Sequence, residues 1–129
     1  MTRMRGLELG MVRTIAMSAA AMLLSVVALN AHHSYAAFDR EHPVSVEGDI
    51  ESLLFVNPHV VVGLHTTDGR YKVEWGALNQ MVRWKITRDT LRVGDHVIVT
   101  AARTHDPADR RLSLVSEIRR PVDGWRWAR

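Results

Sequence analysis

Three histidines place the most suggestive chemistry in this sequence: the adjacent pair His32-His33 and, behind a proline, His59. If a leader is cut after Ala31, His32 becomes the first residue, and its free α-amine and imidazole can bind one metal ion together. His59 would then complete a nitrogen-rich tetragonal set. Alternatively, the amine, the His33 amide nitrogen and the His33 imidazole form a three-nitrogen chelate. Copper(II) favours tetragonal nitrogen geometry and stands above zinc in the usual affinity order. The α-amine has a reference pKa of about 7.7–8.0, so binding displaces a proton and weakens in acid. The plainer reading leaves the pair solvent-exposed beside a processing site and gives His59 a hydrogen bond at a strand end.

Other chemistries find less to stand on. No Gly-x-Ser-x-Gly, phosphate loop or dinucleotide fingerprint occurs, so the residues do not point to an enzyme. A copper redox enzyme would be a subset of the metal reading and would need an open coordination position. His105-Asp106 and Asp95-His96 set acids beside histidines, but neighbours on a strand point to opposite faces. With no cysteine, disulfides, thiolate metal sites and lipid-bearing cysteines are excluded. Trp75, Trp84, Trp125 and Trp127 could line the mouth of a metal-free module for a small ligand or a protein, although tryptophans in a small domain more often pack the core. Arg83, Arg88 and Arg92 could fringe an anion cleft or simply be solvated.

The leader that would expose His32 is written in residues 1–31. Arg3, Arg5 and Arg13 precede the apolar run Ile15–Leu29, and Ala31 offers a small residue for cleavage, which is the pattern of an export signal. Cleavage after Ala28 is the rival site. The expected location is the periplasm or the exterior; the alternative is an inner-membrane anchor left by an uncleaved segment, and the run is shorter than the roughly 20 residues a span requires. The net charge of +3 changes meaning on cleavage, because residues 32–129 carry 14 basic and 13 acidic side chains. Export and near-neutrality argue against nucleic acid. The expected partner is a periplasmic protein or a small ligand.

The elements that must position these residues follow in order. Residues 32–43 read as an extended arm pinned by Tyr35 and Phe38, and 44–120 as one β domain. Val44, Val46 and Ile50 alternate with Ser45, Glu47, Asp49 and Glu51, giving one core face and one solvated acidic face. The apolar run Ser52–Val56, with Gly48 upstream, predicts a bulge near Ser52 in a long bent strand that serves two sheets. Asp68-Gly69 predicts a two-residue hairpin turn, which pairs Leu64 with Val73, Val62 with Trp75 and His65 with Lys72. Leu78, Met81 and Val82 make the stripe of a short helix. Two strands follow, His96–Arg103 with Val97, Val99 and Ala101 inward, and Arg111–Arg119 with Leu112, Leu114 and Ile118 inward. Residues 121–129 form a tail with Trp125 and Trp127 on one face.

Three strands, a helix and two strands predict an all-β protein: a small five-stranded OB-like Greek-key barrel with one short helix between strands 3 and 4, preceded by a signal-peptide helix. A sandwich-like or open barrel fits the same pattern. Ala31-His32-His33-Ser34-Tyr35, Phe38-Asp39, Asn57-Pro58-His59, Trp75-Gly76-Ala77, Thr87–Leu91 and Gly94-Asp95 resemble a family of small exported bacterial proteins of unknown function. That resemblance implies export and one compact β domain, and it transfers no activity. The Trp125-Arg126-Trp127 tail departs from the more polar ending of the family.

Overall fold

The alternating stretch after Pro43 folds as the strand on which the sheet turns. In the computed structural model, which describes residues 35–129, β1 (Val44–Leu54) pairs antiparallel with two partners. Val44–Asp49 pair with β4 (His96–Arg103), and Asp49–Leu54 pair with β2 (Val61–Thr66). The register shifts between Ile50 and Ser52, as the change from alternating to continuous apolar residues predicts. β3 (Gly69–Glu74) continues from β2, and β5 (Arg111–Arg120) pairs with β4. A short parallel pairing of Lys72-Val73 with Arg111-Leu112 joins β3 to β5 and closes a five-stranded barrel, excluding the sandwich-like and open forms. The predicted tail adds a strand, β6 (Trp125–Ala128), on the outer edge of β5.

The core is the inward half of each alternation. Ile50, Val62, Leu64, Val73, Val97, Val99, Ala101, Leu112 and Ile118 are fully buried. Trp75 and Trp127 meet edge to face at 5.2 Å, and Trp84 packs on Trp127 at 4.7 Å, so three of the four tryptophans form an aromatic cluster. The arm is pinned through Phe38, which is buried and bridges Thr104, whereas Tyr35 is exposed.

Three local expectations are corrected. The hairpin turns at Thr67-Asp68, one residue early, so Leu64 pairs with Tyr71, Val62 with Val73 and His65 with Arg70. Gly69, at φ +129°, opens β3 instead of closing the turn. The register moves by two residues, which is the side-chain period, and the core face survives unchanged. In β5, Leu114 adopts φ +53° within an irregularity of the β4–β5 ladder, so it is only half-buried and Val115 fills the core instead. The helix α1 (Leu78–Arg83) buries Met81, while Val82, about 100° further round the helix, is 76% exposed.

Candidate functional site

His59 sits at a joint that several elements build together. After β1 the chain turns through a cis Asn57-Pro58 peptide, and the Asn57 side-chain oxygen accepts from the Leu78 amide at the start of α1. Val60 donates to the Gly76 carbonyl at 2.8 Å, and the Trp75 amide donates back to Val60 at 2.9 Å. The Asn57-Pro58-His59 and Trp75-Gly76-Ala77 stretches, far apart in sequence, therefore lie against one another. The joint is tight at Gly76, where a Cβ would come within 2.8 Å of the Met81 methyl and 2.9 Å of the Trp84 ring, so a larger residue requires those side chains to shift. Arg88 closes the other side by stacking over Phe55 at 5.4 Å and donating to its carbonyl.

Within this joint the His59 ring is half-buried. Among the described residues no hydrogen bond or ion pair engages it, so the strand-end hydrogen bond that a structural role would supply is not made. Trp75 contributes a buried indole N–H that also finds no acceptor among the described residues. His32 and His33 lie outside the described residues, and among those described no three His, Asp or Glu side chains stand close enough to share a metal ion.

A second constellation, invisible in sequence order, lies on the outer face of the barrel. Asp49 is opposite His65 on β2 and opposite His96 on β4, so the three form one row across three strands. The His96 ring is gripped from both sides, with Nδ1 2.7 Å from Asp49 Oδ1 and Nε2 2.9 Å from Glu47 Oε1. The Glu47 hydrogen bond and then the Asp49 hydrogen bond raise its pKa above the ordinary 6.5. As an imidazolium it donates to both carboxylates and keeps no lone pair for a metal or a substrate proton. Glu47, Asp49, His65 and His96 line a shallow groove of about 440 Å³. The available signal was the alternation of acids along β1, which predicts a solvated face; what that face meets depends on pairing with a strand 47 residues away.

Among the described residues no helix is long and apolar enough to cross a membrane. No curated protein and no solved structure matches this chain. Residues 20–112 match the model of a family of unknown function, and the chain belongs to that family, DUF6152.

Proposed function

We propose that this protein is an exported binding or accessory protein that takes Cu(II) at its mature N-terminus, with His32 supplying the α-amine and an imidazole and His33 and His59 completing the nitrogen set. The observation that carries this reading is the uncommitted, half-buried His59 ring in a joint that Asn57, Val60, Gly76 and Arg88 hold by hydrogen bonds. Asn57, Gly76 and Arg88 hold the joint together, whereas His59 contributes no bond to it among the described residues. An imidazole held without a partner keeps its lone pair for a ligand.

The test is calorimetric titration of Cu(II) into the processed protein. His32→Ala is expected to abolish tight binding while the thermal unfolding of the barrel stays unchanged, and binding is expected to weaken as pH falls below the α-amine range of about 7.7–8.0. Full affinity in the His32→Ala protein would overturn the N-terminal site. A metal-free module for a small ligand is the second reading, favoured by a concave pocket of about 310 Å³ at one end of the barrel.

A further inference from the structure

That pocket, between the start of β1, the β2–β3 turn and the loop after β4, has a charge arrangement that selects among ligands. Its size falls within the roughly 300–1,000 Å³ of small-molecule sites. Val44, Val46 and Tyr71 give it half-buried apolar walls, and Arg103, Arg110 and Arg111 bring three cations to its rim.

Two of the three cations are already neutralised. Arg110 pairs with Asp68 at 3.1 Å while stacking over the Tyr71 ring at 5.2 Å. Asp68 also accepts from the Thr66 hydroxyl and from the Tyr71 phenol, and these bonds hold its carboxyl at a pKa of about 2. Arg111 grips Asp109 at 2.6 Å and lies over Phe38. The remaining acid on the lining, Glu47, is engaged by His96. Arg103 projects from the last position of β4, exposed, and among the described residues no carboxylate pairs with it. Its main chain is held, since the Asp39 amide donates to its carbonyl at 2.8 Å and Leu112 is its ladder partner. A fixed backbone thus presents one uncompensated guanidinium beside an aromatic and aliphatic wall.

We infer that this end of the barrel binds a small organic monoanion, with its carboxylate on the Arg103 guanidinium and its apolar body against Val44, Val46 and Tyr71. Guanidinium and carboxylate match in two parallel hydrogen bonds, and a second anionic group would meet no free cation among the described lining residues. The inference rests on the ligand-binding reading above and names its ligand class. It is independent of copper.

The probe is 3-phenylpropionate, with 3-phenylpropanol as the uncharged counterpart of the same shape, titrated into the ¹⁵N-labelled full chain. The acid is expected to produce saturable shifts at the amides of Val44–Val46, Asp68, Tyr71 and Arg103, weakened by added salt. Arg103→Gln, at an exposed side chain, is expected to keep the dispersed spectrum and to lose about tenfold or more in affinity, and the alcohol is expected to bind correspondingly more weakly to the unaltered protein. Equal binding of acid and alcohol, or undiminished affinity in Arg103→Gln, overturns the anion class while leaving the ligand-binding reading standing. Absence of saturable shifts with either probe in the millimolar range overturns both.

Discussion

Two cations in this barrel are each held between two carboxylates, and they behave differently because of depth and chemistry. Arg120, near the end of β5, reaches Asp95 at 2.7 Å and Asp123 at 2.9 Å, donates to the Thr90 carbonyl at 3.0 Å and lies over Trp125, with only 17% of its side chain exposed. His96 reaches Asp49 and Glu47 at similar distances, but half of its side chain is exposed. Arg120 ties three segments, the Thr90–Asp95 turn, β5 and the turn before β6, and its charge is permanent. His96 ties one strand to its neighbour with a charge that is lost as pH rises through its raised folded pKa. The same local pattern is a structural clamp in one place and a titratable surface feature in the other.

The sharpest way to break this comparison is at its deep end. Arg120→Ala leaves Asp95 without its cation and uncovers Trp125, and is expected to cost about 1.5–3 kcal/mol, measured as a lowered urea midpoint with little change in slope. The Arg120 clamp should fail only in acid. Hydrogen bonding to Arg120 holds the Asp123 carboxyl below its ordinary 3.8, so that contribution is present above this value and is lost as pH falls through the lower folded one. An unchanged midpoint for Arg120→Ala would place the clamp among surface pairs of no consequence.

An intermediate effect is expected at Gly48, which lies between Glu47 and Asp49 and points inward. A Cβ there would overlap the His65 carbonyl oxygen, so Gly48→Ala must push β1 away from β2, at a cost of about 1–3 kcal/mol. Thermal unfolding measures the cost, and shifted ring resonances of His65 and His96 would show that the outer row depends on this close approach.

The smallest effect belongs to His96 itself. Its folded pKa is raised, so its contribution is complete below about 6.5 and disappears as pH rises through the folded value, opposite in sign to the Arg120–Asp123 pair. Glu47, Asp49 and His65 face it, and all are exposed. His96→Gln is therefore expected to cost less than about 1 kcal/mol and to flatten the pH dependence of stability above about 6.5. A large loss, or a pH profile unchanged by the substitution, would contradict the surface assignment.

What could be read ahead of the structure follows the range of the interactions. The bulge near Ser52 and the inward faces of β1, β2, β3 and β4 are local matters of period two, and they stand, whereas Leu114 on β5 and the added strand β6 depart from the expectation. The hairpin register was misplaced because Asp68-Gly69 is the stronger turn dipeptide, while Thr66, Tyr71 and Arg110 tie Asp68 into a turn one residue earlier. Leu114 was misassigned because nothing in the run Arg111–Arg120 announces a left-handed residue. The His96 row and the Arg103 pocket could not be read at all, since each joins side chains from strands whose pairing only the closed barrel reveals. His59 stands out in the sequence by its proline and its place at a strand end, while the contacts of Asn57 with Leu78 and of Val60 with Gly76 beside it come only with the fold.

The most direct test of the central claim is native mass spectrometry of the protein recovered from the exported fraction, because one mass reports both the first residue and any bound metal. The account predicts a chain that begins at His32 and carries one copper ion. A chain that begins elsewhere, or that stays metal-free when copper is supplied, contradicts it.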